Sequence, residues 1–359
     1  MKIQRSKHGV LRNAVRVLLA SSALPLVAPG IAHAQSSVAL YGMIDSGVSY
    51  ATHSSASGSG LFSAGNGAIA PSRFGFRMSE DIGGQTRVIA NLEAGFSPTT
   101  GASAQSGRMF GRTSIVGVEG RFGRLTFGRE YTVLYEAIAL NDVYVVSNSP
   151  MAGFVIGNYT AGTRLDNGVK YQGHVGAFSA GVQYNFTGSS TLPQGSSTGV
   201  RVAYDQGPLH LGAAYQSLND KTSFFGVTIP STNQKVWTVG GTYTFTSDKL
   251  FFYYTHSQLT GYLNQLATLG ESHAFAPDLS WRNAVAFDHM SRDAGSGNRV
   301  NVSTELVCSL SKRTSVYGLV DYTQLSGTWR SFAALPTFTN SFYGASNRLE
   351  AVAGIVHRF

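Results

Sequence analysis

Apolar and polar residues alternate along many short segments of this chain. In the segment 178–186, Phe178, Val182 and Phe186 fall on one face, while Gln183 and Asn185 fall on the other. A repeat of two residues is typical of a β-strand whose two faces meet different surroundings. The pattern therefore predicts strands with one apolar face and one small or polar face.

Counting such segments predicts sixteen strands, at 38–50, 71–80, 85–97, 108–119, 124–130, 165–172, 177–187, 198–206, 209–217, 235–245, 249–258, 261–272, 278–290, 299–309, 314–325 and 346–359. Tight turns separate many of them, and four longer connections lie at 51–70, 131–164, 218–234 and 326–345. A soluble β-sandwich also alternates, but an even strand count with short turns and longer loops is typical of a membrane barrel. We therefore predict an all-β fold, a 16-stranded antiparallel transmembrane β-barrel over residues 35–359.

The composition agrees with a folded barrel. Of 359 residues, 13% are charged and 11% aromatic, and 42 are glycine. Low charge argues against a long-helix protein, and the many aromatic residues argue against disorder. Because Cys308 is the single cysteine, an internal disulfide and a multi-cysteine metal site are excluded.

The net charge of +8 suggests a nucleic-acid partner, but the positions of the charges argue against one. Residues 1–34 hold five basic residues and no acid, then an apolar run at 17–28 and the sequence Ala32-His33-Ala34. This pattern predicts a signal peptide over 1–34, cleaved after Ala34. A membrane anchor is the alternative, but the run is shorter than the roughly 20 residues that a spanning helix needs. Removing five of 27 basic residues leaves 22 against 19 acids, a net charge of +3.

Several stretches together resemble the general diffusion porins of Gram-negative outer membranes. They are SVALYGMID at 37–45, SRFGF at 72–76, EDIG at 80–83, FGRLTFGR at 122–129, LSKRT at 310–314 and HRF at 357–359. The resemblance implies a homotrimer in outer-membrane lipid and lipopolysaccharide that lets ions and small hydrophilic solutes diffuse passively. It also implies that Phe359, with Ile355 and His357 before it, is the signal that the outer-membrane assembly machinery reads.

The resemblance further implies a third loop that folds into the pore, and residues 131–164 match its position. The stretch 133–146 is mostly apolar, which argues against a disordered loop. We expect one side of the loop to pack on the barrel wall. Glu136 and Asp142, with Glu130 behind them, are then expected on the acidic side of a constriction.

In the family, arginines on the wall face this loop. The matching residues are Arg73, Arg112 and Arg164, and strand parity adds Arg87, Glu93, Lys170 and Arg201 as lumen candidates. Facing acids and arginines create a transverse field that filters solutes by charge without binding them tightly. Met43 stands where related porins can carry a lysine, which removes one positive charge from the row.

Two other function classes stay open, a substrate-selective outer-membrane channel and an outer-membrane hydrolase or adhesin on the same barrel. The sequence GSSTG at 195–199 fits G-x-S-x-G, but that motif marks a nucleophile only between a strand and a helix. Here it lies between two predicted strands. The histidines after residue 34 show no metal-ligand spacing, so we expect no enzyme, no metal and no cofactor.

Overall fold

The computed structural model describes residues 36–146, 159, 161–188, 195–224, 227–333 and 342–359. The predicted signal peptide, 1–34, lies outside the described residues and stays a prediction. The strands are β1 (Ser36–Ala51), β2 (Leu61–Asn66), β3 (Arg73–Gly83), β4 (Thr86–Gly95), β5 (Thr113–Gly120), β6 (Gly123–Tyr131), β7 (Arg164–Val175), β8 (Phe178–Asn185), β9 (Ser197–Gln206), β10 (Leu209–Phe224), β11 (Val227–Thr244), β12 (Asp248–Leu259), β13 (Tyr262–Ala276), β14 (Leu279–Arg292), β15 (Gly295–Ser309), β16 (Thr314–Leu325) and β17 (Asn347–Arg358). The helices of the described chain are α1 (Val133–Asn141) and α2 (Thr328–Ala333).

The strands form one antiparallel sheet that β1 closes into a barrel. On one side β1 pairs with β17, and on the other it pairs with β3 along its first half and with β2 along its second half. Since β2 and β3 share one position, the seventeen strands fill sixteen positions. The predicted fold class is confirmed. The strand β2 lies within 51–70, which we expected to be a loop, because its backbone continues the pairing with β1.

The last residue completes the closure. The backbone N–H of Phe359 donates to the carbonyl of Gly42 at 3.0 Å, and the N–H of Gly42 donates back to the carbonyl of Phe359 at 3.1 Å. A side chain at position 42 would collide with the Phe359 ring. Glycine at that position therefore lets the terminal ring lie directly on β1.

The faces of the strands follow the alternation in the sequence. On β8 the side chains of Phe178 and Val182 are exposed, whereas those of Gln183 and Asn185 point inward and are buried. An apolar outer face is what hydrocarbon surroundings favour. No helix of the described residues is long and apolar enough to cross a membrane.

The two ends of the barrel differ. At the short-turn end, two to four residues join successive strands, while the long-loop end carries the longer connections. We expected 218–234 to be one of these loops, but β10 and β11 extend through most of it. Phe224 and Ile229 are buried there against Trp329 of α2. Burial of these apolar residues keeps the hairpin paired although many of its neighbours are polar.

Between β2 and β3 the chain turns into the barrel. The buried carboxylate of Asp45 accepts hydrogen bonds from the backbone N–H groups of Ile69 and Ala70, at 3.0 and 2.9 Å. It also accepts one from the hydroxyl of Tyr317 at 2.7 Å. These bonds hold the segment 67–72 inside the wall, where it narrows the interior.

A charged residue on the outer face tests the membrane assignment. We expect Val202→Arg, on the exposed apolar face of β9, to lower the free energy of unfolding by about 2–4 kcal/mol, because the side chain enters hydrocarbon. Thr198→Arg is the matched control on the same face, and its expected cost is about 0–1 kcal/mol because it lies at the end of the strand. Denaturant unfolding of the barrel in lipid vesicles measures both. Equal costs for the two variants would contradict the assignment.

Candidate channel constriction

Helix α1 lies inside the barrel and begins the long connection between β6 and β7. The hydroxyl of Thr132 caps the helix by accepting from the N–H of Tyr135 at 3.2 Å. Leu134 and Ile138 are fully buried, in one apolar cluster with wall residues such as Val236. The described start of the loop, 131–146, therefore lies inside the barrel and packs one side on the wall, as the apolar stretch 133–146 and the resemblance to the porins predict.

A cavity of ≈ 950 Å³ lies on the other side of this loop. Its charged lining consists of six arginines and one acid: Arg73, Arg112, Arg164, Arg201, Arg282, Arg358 and Glu136. The cavity is thus a charged part of the interior, lined by described residues. Its lining is strongly positive.

Glu93 of β4 joins two of the predicted arginines. The Nε atom of Arg112 donates to Oε1 of Glu93 at 2.7 Å, and the Nε atom of Arg73 lies 3.6 Å from Oε2. The hydroxyl of Tyr41 donates to the same Oε2 at 2.9 Å. This carboxylate therefore fixes the two guanidinium groups side by side.

Tyr131, which sequence reasoning missed, joins the third arginine to the group. The guanidinium of Arg164 lies 3.9 Å from the centre of the Tyr131 ring and donates to its hydroxyl. Arg112 donates to the same hydroxyl at 3.1 Å. The ring of Tyr135 stacks on that of Tyr131 at 4.3 Å. The structure thus brings together Arg73 at the start of β3, Arg112 just before β5 and Arg164 at the start of β7.

Lys170 of β7 binds the acids near the loop. Its Nζ lies 2.7 Å from Oε2 of Glu130 and 2.7 Å from Oε1 of Glu136. The side chain of Lys170 is almost fully buried, and neither it nor Glu130 lines the cavity. Gln172 also donates to Glu136, at 2.8 Å. These bonds tie α1 to the wall and offset the charge of the one acid in the cavity lining.

Asp142 differs from our expectation, because it lies on the wall side of the loop. Helix α1 ends at Asn141, and the following turn points the carboxylate away from the cavity. There it accepts from the N–H of Tyr144 at 2.7 Å and from the hydroxyl of Tyr253 at 3.1 Å. Burial raises the pKa of this carboxyl group. The expected acidic row is therefore reduced to Glu136.

A family model for Gram-negative porins matches residues 20–328. The chain belongs to the Gram-negative porins. Outer membrane porin protein 32 of Delftia acidovorans is 33% identical to this porin over 240 residues, which are 63% of this chain and 65% of that relative. An outer membrane porin protein of Bordetella pertussis is 30% identical over 275 residues, 67% of this chain and 69% of the relative. The porin thus spans about two thirds of the length of each relative, and the resemblance in its sequence is confirmed.

Solved structures share the fold of the porin. An anion-selective porin from Comamonas acidovorans matches with a TM-score of 0.77 and 24% identity, over 90% of this chain and 100% of that chain. The trimer form of OmpT, an outer membrane protein of Vibrio cholerae, matches with a TM-score of 0.65 and 14% identity, over 90% and 99%. At these identities the likeness is one of fold.

Arg87 of the porin lies apart from the cavity, at the short-turn end of β4. Its guanidinium is exposed and lies 2.5 Å from the carboxylate of Glu119. Arg282 and Arg358 line the cavity but were not among the predicted residues. Both follow the parity of inward-facing positions on their strands, so the alternation itself was the signal that would have found them.

The contacts of Asp142 with the barrel wall predict that this residue anchors the loop. In Asp142→Ala the N–H of Tyr144 and the hydroxyl of Tyr253 lose a buried acceptor, which costs about 1–3 kcal/mol. Asp142→Asn keeps an oxygen acceptor at this position, and it is the matched control. We expect the alanine variant of the porin to unfold at a lower temperature than the asparagine variant and to close more often in single-channel records. If the wild type and Asp142→Ala have the same unfolding temperature and close equally often, the anchoring role is wrong.

Proposed function

We propose that this porin is a passive-diffusion channel of the outer membrane that favours anions. The observation that carries the proposal is the cavity lining, in which six arginines surround one acid. That acid, Glu136, already pairs with Lys170. Because fixed positive charge in a narrow aqueous passage attracts anions and opposes cations, the lining favours the passage of anions.

The contacts of the arginines suit passage better than tight binding. Glu93 and Tyr131 hold Arg73, Arg112 and Arg164 in place. A passing anion therefore meets guanidinium groups whose positions are already set and whose charge is partly offset. Binding that is favourable enough for entry and weak enough for exit is what conduction requires.

Family membership and fold support a channel over a hydrolase or adhesin. A fold neighbour is described as anion-selective, in agreement with the charge of the cavity. The lumen positions that we expected to be acidic contribute little net charge here, so the predicted transverse field is weaker than the positive field of the arginines.

The location and assembly of the protein are part of the same proposal. Residues 1–34 are removed during export, and three copies associate in outer-membrane lipid and lipopolysaccharide. The three-part signal pattern supports the first point, and the trimer form of a fold neighbour supports the second. Ile355, His357 and Phe359 are exposed on the outer face of β17, where assembly machinery could bind them.

The arginines should control ion selectivity. We expect the triple variant Arg73→Ala, Arg112→Ala, Arg164→Ala to shift the reversal potential in a salt gradient toward cations, because it removes three positive charges from the cavity lining. Planar-bilayer recording measures this potential. Arg87→Ala is the matched control, since Arg87 lies at the short-turn end and pairs with Glu119. Normal assembly with unchanged selectivity in the triple variant would contradict the assignment.

Export and assembly can be measured together. Native mass spectrometry of the protein, extracted gently from outer membranes, should find a complex of three copies, each beginning at Gln35. A complex that retains residues 1–34 would contradict the signal-peptide prediction. A mass of one copy after mild extraction would contradict the trimer.

A further inference from the structure

The outer face of the barrel carries an apolar groove across β10 to β15, on the surface that faces away from the channel. The groove encloses ≈ 1120 Å³. Its central row consists of apolar or small residues that pair across neighbouring strands: Leu211, Gly241, Phe252, Leu269, Val285 and Val302. With neighbouring strands about 4.8 Å apart, the row is about 24 Å long. The groove therefore runs across six strands, and at Gly241 the side chain of Leu211 lies so close that a Cβ there would collide with it.

The next row of the groove, two residues nearer the short-turn end, changes from apolar to polar. It comprises Leu209, Tyr243, Leu250, Glu271, Asn283 and Thr304. Charged side chains are costly on the lipid face of a barrel except near the interface. Tyr243 is an exposed aromatic residue of this row, and aromatic side chains mark the level of lipid headgroups. The groove thus joins an apolar trench to a polar end at headgroup level.

At the polar end of the groove, two hydrogen bonds link three side chains from a donor to a final acceptor. The indole N–H of Trp281 donates to the hydroxyl of Thr304 at 2.7 Å, and that hydroxyl donates to Oδ1 of Asn283 at 2.8 Å. The chain of bonds ends on an acceptor, and Asn283 pairs directly with Glu271 on the neighbouring strand. Over the described ranges, no hydrogen bond or ion pair reaches the carboxylate of Glu271. The carboxylate of Glu271 therefore has no donor among the described residues, and Oδ1 of Asn283 beside it accepts one hydrogen bond and can accept a second.

We propose that this groove binds a phospholipid whose headgroup carries a primary ammonium. The acyl chain lies along the apolar row, and the ammonium binds between Glu271 and Asn283. A primary ammonium has a positive charge and three N–H donors, which match a carboxylate beside an amide oxygen. A quaternary ammonium headgroup has the charge without donors, and an anionic headgroup is repelled by Glu271. The inference rests on the proposed outer-membrane location.

Lipid titration of the full exported protein in detergent tests the proposal. Native mass spectrometry follows binding of phosphatidylethanolamine, phosphatidylcholine and phosphatidylglycerol with identical acyl chains. We expect phosphatidylethanolamine to bind about fivefold more tightly than phosphatidylglycerol, the effect of one exposed ion pair. Glu271→Gln should reduce phosphatidylethanolamine to the level of phosphatidylcholine. Glu80→Gln, which changes another exposed carboxylate on β3, is the matched control and should leave the preference unchanged.

A second variant tests the apolar part of the site. Val285→Trp fills the groove without changing Glu271, and we expect it to weaken binding of all three lipids alike. Equal affinities of the wild type for the three lipids, or an unaltered preference in Glu271→Gln, would overturn the proposal. A photo-crosslinker at position 285 that captures a second copy of the chain instead of lipid would also overturn it.

The lipid groove and the channel can be tested independently of each other. Glu271 faces away from the cavity, so we expect the reversal potential of Glu271→Gln to equal that of the wild type. If Glu271→Gln loses the lipid preference and keeps the anion selectivity, the result therefore bears on the groove alone. A wild type without anion selectivity would contradict the proposed channel function and would leave the groove proposal unaffected.

Discussion

Lipid offers no hydrogen-bond partner to a peptide group, and the architecture of this porin depends on that constraint. A sheet in the membrane must therefore have no free edge. The chain meets the requirement where β1 pairs with β17 and where Gly42 and Phe359 exchange backbone hydrogen bonds. Once the sheet is closed, each strand needs only an apolar outer face, and its inner face is free to carry charge.

Inside the closed sheet, α1 packs one side against the wall and forms an apolar cluster with it. The other side borders the cavity. Two polar contacts tie α1 to the wall near its two ends: Glu136 in its first turn binds Lys170 of β7, and Asp142, just after its last residue, binds Tyr253 of β12. The helix is thus held by polar contacts at both ends of an apolar stretch.

The proposed charge selectivity depends on where the charges lie more than on their sum. A net charge of +3 after residue 34 predicts only a mild preference for anions. The fold gathers arginines from distant strands around one cavity and pairs the nearby acids with Lys170 or with the arginines themselves. A modest overall charge thereby becomes a strong local one.

The sequence by itself determined most of the strands and the closed barrel, because alternation and connection length are local properties of the chain, whereas the expectation of an inward loop came from the resemblance to the porins. The alternation within one strand is enough to assign Phe178 to the outer face and Gln183 to the inner face. Only the tertiary structure decided the orientation of Asp142, whose partner Tyr253 lies 111 positions away, and the strand β2, which pairs only because β1 lies beside it. The contact of Asp142 joins residues that are far apart in the chain, and the pairing of β2 depends on the position of β1, so the energy that selects either contact is absent from the alternation of a single segment.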